Sequence, residues 1–437
     1  MFSSVWQLLK EHPEFIAMLT IPPVTAFVTW AHVWMALEML FYPIKFWGVR
    51  VAGMPFGLKG LGWQGIVPAK AGKISGVIVD QTLAKLGNIK EFLEAMEPAE
   101  MADFVTSAVD SNLEELIDEI MLERSYTLWT HTPYAIKRRI YAHAHSELPS
   151  VMKNLVLDLT YHVEELVDMR QMIVRKMESD RKLMVDMFLR VGKKEINFIW
   201  KISALIGFGF GIIQMAIFYF VPQHWTVPFF AAIWGALTNW IAIWMVFNPV
   251  EPHYVRFLRV FRKDDDGIHF MLPHIHRYNW QGGFMKRQDE VSSVFAEIVV
   301  KELVTLENIM HEMMYGARAK QTRALMKSHM HAMLESPVVA TTLKVGLGGE
   351  GEIHRFEEAI IDKSIDATMV PIRDPELNTS RADKIFGLFE SRIRSLTPKE
   401  FQNLLRPAFK EDEMTLVVLG AITGLLAGWL HLVAVFF

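Results

Sequence analysis

Four long, predominantly apolar segments constrain the fold of this chain more than any other feature. They are residues 21–43, 196–221, 227–247 and 416–437. Each is long enough to cross the ~30 Å hydrocarbon core of a bilayer as an α-helix. Because backbone groups within lipid must find hydrogen-bond partners inside the protein, such segments are predicted to be helical. The sequence therefore predicts a membrane protein with four spans.

A repeated tripeptide relates the first half of the chain to the second. Trp-Gln-Gly occurs at 63–65 and again at 280–282, each time after a span that ends in proline, at Pro43 and at Pro249. We interpret the chain as two copies of one unit. Two spans per copy make the copies parallel, with their inserts on one side of the membrane. The predicted division is a short amphipathic segment at 1–20, the four spans, and helical inserts at 44–195 and 250–415.

Basic residues near the span ends predict the orientation. Cytoplasmic loops of membrane proteins carry an excess of lysine and arginine. The side of the inserts has many such residues, whereas the opposite side has little beyond Lys10. We therefore expect cytoplasmic inserts, with both termini and the short 222–226 connection outside. The basic residues on the insert side are Lys45, Arg50, Lys59, Lys193, Lys194, Lys201, Arg256, Arg259, Arg262, Lys263, Arg406 and Lys410.

The second span of each half contains two glycines four residues apart. The pairs are Gly207 with Gly211 and Gly424 with Gly428. Helices in lipid have no hydrophobic drive to associate, and small residues at this spacing let their backbones approach closely. The glycines are predicted to mark helix-packing faces, although glycine is also common in membrane helices generally.

Both inserts show helical periodicity and few strand signals, so the predicted fold class is all-α. In the first insert, apolar residues recur every three or four positions from Met152 to Met187. This narrow seam predicts one long helix from Glu147 towards the second span, paired with another helix as in a coiled coil.

The second insert is predicted to be more broken. Residues 397–400 read Thr-Pro-Lys-Glu, which is typical of a helix N-cap followed by proline at the first helical position. The stretch from Pro371 to Ser380 is predicted to be a loop, and the glycine-rich stretch 346–351 a linker. The predicted helices lie near 290–314, 317–335, 352–369, 380–395 and 398–409.

Two segments resemble a known family. Residues 238–249, which read TNWIAIWMVFNP, and residues 396–413, which precede a glycine-rich final span, are similar to the domain of unknown function 445 family of bacterial membrane proteins. The first half departs from this pattern, because Val33 stands where Asn239 stands in the second. The resemblance implies a bacterial inner-membrane protein with helical inserts and carries over no catalytic residues.

Enzymatic motifs are not evident. The chain has no cysteine, which excludes disulfides, thiolate metal sites and cysteine nucleophiles. Residues 346–351 match G-x-G-x-x-G, but no hydrophobic strand precedes them and Glu350 would repel a pyrophosphate. A net charge of -4 provides no global field for nucleic acid. We expect no catalytic residues, no cofactor and no metal.

Polar residues within the spans are the first candidate site, because ionisable groups are costly in lipid and are often functional. They lead to two hypotheses. They line a path for ions or lipid, or they bridge helices by hydrogen bonds while Glu38 pairs with a juxtamembrane lysine. The residues are His32, Glu38, Gln214, Asn239 and His431.

Basic segments with interleaved aromatic residues are the second candidate site. One contains Lys45, Arg50 and Lys59. The other has cations at helical spacing among Phe257, Leu258 and Phe261. Such surfaces are predicted to contact anionic headgroups, each cation contributing roughly 1 kcal/mol; the alternative is that the charges only set orientation. The cations of the second segment are Arg256, Arg259, Arg262 and Lys263.

The leading functional hypothesis is a non-enzymatic, homo-oligomeric membrane scaffold that contacts anionic lipid and partner proteins. The alternative is a channel or transporter for ions or lipid that uses the polar residues of the spans. The 26 methionines, many on apolar helical stripes, are typical of core filling and also occur on adaptable binding surfaces.

Overall fold

The computed structural model describes residues 15–50, 60–80, 86–264, 267–334, 350–406, 410 and 413–435. The chain divides into two compact units. The membrane unit comes from residues 1–82, 177–294 and 394–437, and the helical unit from residues 83–176 and 295–393. Each unit therefore contains residues from both halves of the sequence.

Nineteen described helices and four strands follow one another in this order. The first group is α1 (Phe15–Phe41), β1 (Trp47–Arg50), β2 (Gly60–Trp63), α2 (Ile66–Ala69), α3 (Ala71–Ile78), α4 (Ile89–Ala95), α5 (Pro98–Asp110), α6 (Leu113–His131), α7 (Tyr134–Tyr161), α8 (Val163–Leu166) and α9 (Met169–Ser179). The second group is α10 (Arg181–Phe220), α11 (Thr226–Phe247), β3 (His253–Asp264), β4 (Gly267–Trp280), α12 (Gly283–Lys286), α13 (Gln288–Ile298), a π-helical turn (Val299–Leu303), α14 (Leu306–Tyr315), α15 (Ala319–Leu334), α16 (Glu350–Ile372), α17 (Pro375–Ser395), α18 (Pro398–Leu405) and α19 (Glu413–Val435).

The four predicted spans are confirmed as long apolar helices, α1, α10, α11 and α19. Helix α10 has 40 residues, so it extends well beyond the length that a bilayer requires. The outward faces of these helices are apolar and exposed, as at Phe27, Leu205 and Leu426. A water-soluble protein would bury such side chains, so this surface is suited to lipid.

The described residues are mostly helical, which confirms the predicted all-α class, and two antiparallel hairpins are exceptions within it. Strand β1 pairs with β2, and β3 pairs with β4. The helical spacing predicted for Arg256, Arg259, Arg262 and Lys263 is wrong, because all four lie on β3. The residues between these cations are mostly aromatic or β-branched, which favours a strand, and Asp264 pairs with Gly267 across a connection of two residues.

The hairpins occupy matching places in the two halves. Each lies between a span and the Trp-Gln-Gly tripeptide, and a cis peptide bond precedes each proline, Pro43 and Pro249. The Gly65 amide donates to the Pro43 carbonyl over 2.9 Å, and the Gly282 amide donates to the Pro249 carbonyl over the same distance. In the same way, Gln64 Nε2 donates to the Ile44 carbonyl at 2.8 Å, and Gln281 Nε2 donates to the Val250 carbonyl at 3.0 Å.

The helical unit is built around a core from α6, α7 and α16, in which Trp129, Tyr141 and Phe356 are buried. The single long helix predicted from Glu147 is wrong. Four helices, α7 to α10, cover this stretch instead. At two of the three breaks an aspartate caps the next helix: Asp168 accepts from the Gln171 amide and Asp180 from the Leu183 amide.

Two predictions for the second insert are also wrong. The segment predicted as one helix at 290–314 contains a π-helical turn and is interrupted before Thr305, whose hydroxyl caps α14. The predicted loop from Pro371 to Ser380 is mostly helical: α16 runs to Ile372 and α17 begins at Pro375. The predicted N-cap at Thr397 is confirmed, and its reciprocal hydrogen bonds with Glu400 form a capping box. The linker predicted at 346–351 lies largely outside the described residues.

Candidate functional site in the membrane unit

Four of the five polar residues predicted within the spans are buried in the helix bundle. The exposed fractions are 5% for His32, 2% for Gln214, 5% for Asn239 and 8% for His431. Three of them, His32, Gln214 and His431, line one cavity of about 20 Å³ together with Thr25 and Thr29. The fifth, Glu38, is exposed and does not line this cavity.

Hydrogen bonds from these side chains connect the helices around the bundle. Asn239 Nδ2 donates to the Leu416 carbonyl over 2.8 Å, which links α11 to α19. Gln214 donates to the Thr226 carbonyl at 3.1 Å and accepts from Trp234 Nε1 at 2.8 Å, which links α10 to α11. These bonds satisfy polar groups that would otherwise be costly in lipid.

The histidine of α19 completes the links by bonding to α1. His431 Nε2 lies 3.0 Å from Thr20 Oγ1. The Thr20 hydroxyl donates its only proton to the Ala17 carbonyl at 2.6 Å, so His431 Nε2 must be the donor. His431 is therefore protonated at Nε2 in this arrangement.

His32 of α1 lies against α11, next to Asn239 and Gly235. Its Nδ1 lies 3.1 Å from the Val28 carbonyl of its own helix, which requires Nδ1 to donate. Its Nε2 is buried within the bundle. The adjacent cavity of about 20 Å³ has room for one water molecule.

Glu195 is a buried carboxylate that no sequence motif singles out. Its side chain is 5% exposed, and its Oε1 accepts from Arg287 Nη1 at 2.5 Å. Its Oε2 is buried without a hydrogen-bond partner. Glu195 and Asn239 both line a cavity of about 70 Å³ whose other walls are almost entirely apolar. The only sequence signal was an acid beside Lys193 and Lys194 at the start of a span, which also fits an ordinary flanking residue.

Arg287 connects Glu195 to a surface ion-pair network. Its guanidinium contacts Glu290 at 2.8 and 2.9 Å, and Lys194 contacts the same carboxylate at 2.6 Å. The hydrogen bond from Arg287, followed by that from Lys194, lowers the pKa of Glu290 to about 2. The charges of this group balance, which reduces the cost of burying Glu195.

The predicted glycine faces meet helices of the same chain. Gly207 and Gly211 on α10 face α1. A Cβ added to Gly207 would lie 2.6 Å from Thr29 Cβ, and one added to Gly211 would lie 2.5 Å from Pro22 Cα. Gly428 and Gly424 on α19 face α11. A Cβ added to Gly428 would lie 2.6 Å from Ala231 Cβ, and one added to Gly424 would lie 2.3 Å from the Ala231 carbonyl oxygen. These contacts are too short for any larger residue.

The predicted headgroup contacts are only partly described. Lys45 is exposed beside Trp47, which is 78% exposed. Arg50 lies at the end of β1, whereas Lys59 lies outside the described residues. The strand β3 carries the cations of the second segment.

Within the described ranges, no three histidine, aspartate or glutamate side chains are grouped to hold a metal ion. Comparison with known proteins gives no relative: no protein-family model, no curated protein and no solved structure matches this chain.

Proposed function

We propose that the protein is a non-enzymatic scaffold of the bacterial inner membrane that acts as a homo-oligomer. The observation that carries this proposal is the use of the intramembrane polar side chains. Asn239, Gln214 and His431 each bond to a neighbouring helix. Side chains engaged in this way hold a bundle together, as interhelical hydrogen bonds do in membranes generally.

The cavities support the same proposal. The two that these polar residues line measure about 20 and 70 Å³, and a phospholipid needs far more space. The helix pairs are closed by glycine contacts in which backbones touch. A tightly closed bundle is suited to anchoring a soluble unit.

The ends of the bundle support an interfacial role. Trp225 and Tyr219 are 58% and 65% exposed at the end where α10 turns into α11. Trp47 and Tyr42 are exposed at the opposite end, near Lys45. Aromatic residues at both ends match the two interfaces of a bilayer. We propose that the second end faces the cytoplasm, where anionic lipid would bind the cations near it.

We also propose that the chain is a parallel duplication within the domain of unknown function 445 family. The duplication is supported by the matched hydrogen bonds of Gly65 and Gly282 and of Gln64 and Gln281. The family assignment is supported by the sequence motifs at 238–249 and 396–413 alone.

Reconstitution tests the scaffold proposal. The purified chain in liposomes is expected to move no protons, potassium ions or fluorescent phospholipid faster than empty liposomes. Native mass spectrometry from nanodiscs is expected to show a single oligomer larger than one chain. A monomer that forms no crosslinks in native membranes would contradict the proposal.

One observation favours transport as the second candidate. Glu195, whose Oε2 is buried without a hydrogen-bond partner, lines the same cavity as Asn239, and His32 lies next to Asn239. With water in the two cavities, this row could carry protons. If proton flux is found, Glu195→Gln should abolish it, and Glu38→Gln should leave it unchanged because Glu38 is exposed outside the row. A flux that both variants leave unchanged would remove the basis for this candidate.

A further inference from the structure

The helical unit contains an apolar cavity of about 150 Å³, separate from the membrane bundle. Helices α5, α6, α7, α15 and α16 surround it. The walls consist almost entirely of aliphatic and methionine side chains. Representative lining residues are Leu116, Ile120, Val151, Leu155, Met330 and Ile360.

The size of this cavity is unusual for a close-packed interior. Protein interiors resemble organic crystals in density and leave few voids larger than a water molecule. An engineered cavity of about 150 Å³ with similar walls stays dry and binds benzene. Water gains little here, since an apolar wall offers it no hydrogen bonds. The space is therefore suited to hydrocarbon.

The cavity wall includes three polar residues. His143 Nε2 is buried and has no hydrogen-bond partner in the protein. His143 lines the cavity, and Ser364 and Thr368 of α16 also contribute to its wall. A buried nitrogen left without a partner is costly, and a ligand oxygen would remove this cost.

Methionines make the cavity adaptable. Met121, Met152, Met326 and Met330 all line it. Methionine is unbranched and flexible, so these side chains can adjust to ligands of somewhat different shape. This location gives the methionine-rich stripes of the sequence a use beyond core filling.

We propose that this cavity binds a short hydrocarbon chain that carries one hydroxyl or carboxyl group, with its oxygen hydrogen-bonded to His143 Nε2. The inference goes beyond the scaffold proposal, since neither a scaffold nor a transporter needs a ligand here. A medium-chain alcohol and a medium-chain fatty acid share this chemistry, so both are tested.

The test is hydrogen exchange of the full chain in nanodiscs, with 1-hexanol and hexanoic acid as separate probes. In the wild-type chain, either probe should slow exchange several-fold in peptides covering 140–155 and 356–368. Ala144→Leu fills the cavity and should abolish this protection. Ala142→Leu, on the same helix but at an exposed position, should retain it. Protection by one probe alone identifies the head group.

The polar contact is tested separately. His143→Leu should weaken 1-hexanol binding about tenfold, the loss expected for one hydrogen bond, and His143→Gln should restore most of it. Should Ala144→Leu fail to fold, Val151→Leu fills the same space. Absence of protection in the wild-type chain, or equal protection in the filled variants, would show a packing void only and overturn the proposal.

Discussion

The two helix pairs of the membrane unit use the same glycine spacing to reach different degrees of contact. In the α1–α10 pair, Gly207 and Gly211 face Thr25, Thr29 and Pro22, so glycine lies on one helix only. In the α11–α19 pair, glycines lie on both helices, and Gly235 approaches Gly420. The comparison shows that a G-x-x-x-G pattern indicates a packing face, whereas the partner helix decides how close the backbones come.

The largest expected effect is on stability, and it differs between the two helix pairs. Gly420→Val would place its Cβ 2.5 Å from the Gly235 carbonyl oxygen, and backbone cannot move aside as a side chain can. We expect Gly420→Val to lower the free energy of unfolding by about 3 kcal/mol, the upper end of the usual range for an overpacked core. Gly207→Val should cost less, since its first neighbour is the Thr29 side chain.

Thermal unfolding in detergent measures both variants. Gly209→Val is the matched control, because a Cβ at Gly209 meets nothing within 4 Å. Equal unfolding midpoints for Gly420→Val and Gly209→Val would contradict the packing difference.

The second prediction tests whether the two Trp-Gln-Gly segments are equivalent. A Cβ at Gly65 would lie 2.6 Å from the Phe41 carbonyl carbon, and one at Gly282 would lie 2.7 Å from that of Phe247. Gly65→Ala and Gly282→Ala should therefore each cost about 2 kcal/mol of unfolding free energy.

Gly387→Ala is the control for this pair, since its helix position is open and alanine favours helix; a small gain in stability is expected. Unfolding midpoints that differ widely between the Gly65 and Gly282 variants would argue against equivalent roles.

The third prediction concerns a side chain that only the second half has. Asn239 bonds across helices to Leu416, whereas the corresponding residue in the first half is Val33. Asn239→Val should cost about 1 kcal/mol, the usual value for an interhelical hydrogen bond in a membrane. Thr238→Val is the control, because the Thr238 hydroxyl bonds within its own helix. Unfolding in nanodiscs measures both variants. Equal losses of stability would contradict the interhelical role of Asn239.

The smallest expected effect is a dependence on pH. The folded pKa of Glu290, lowered to about 2, lies below the ordinary value of 4.5. Its carboxylate therefore stabilises the fold above pH 4.5, and this contribution is lost as the pH falls from 4.5 through 2.

Unfolding midpoints measured from pH 7 to pH 3 test this dependence. Glu290→Gln should lower the midpoint at pH 7 and flatten its decline below pH 4.5, whereas the exposed Glu251→Gln should change neither. An unchanged decline in Glu290→Gln would show that other carboxylates control the acid response.

Local patterns predicted the features that depend on neighbours along the chain. The spans follow from length and hydropathy, and the capping box at Thr397 and Glu400 follows from its four-residue pattern. The hairpin β3–β4 was missed because cations at i, i+3 and i+6 fit a helix equally well. Its pairing, for example of Phe257 with His276, involves residues far apart in sequence.

For the candidate site residues, the sequence predicted which span each one occupies. It did not predict which residues they contact. His32, Gln214 and His431 share a cavity only because three different helices bring them together. Glu195 looked like one more charge at a span end, and its burial depends on Arg287, which is distant in the sequence.

The amino-acid sequence by itself determined that four segments are long and apolar enough to cross a bilayer, because these two properties depend on composition and length alone. It also determined where small residues permit close approach. Only the tertiary structure decided which helices meet, that residues from both halves form one helical unit around an apolar cavity, and that Glu195 is buried. Those outcomes depend on the packing of distant segments, whose energies no local pattern contains.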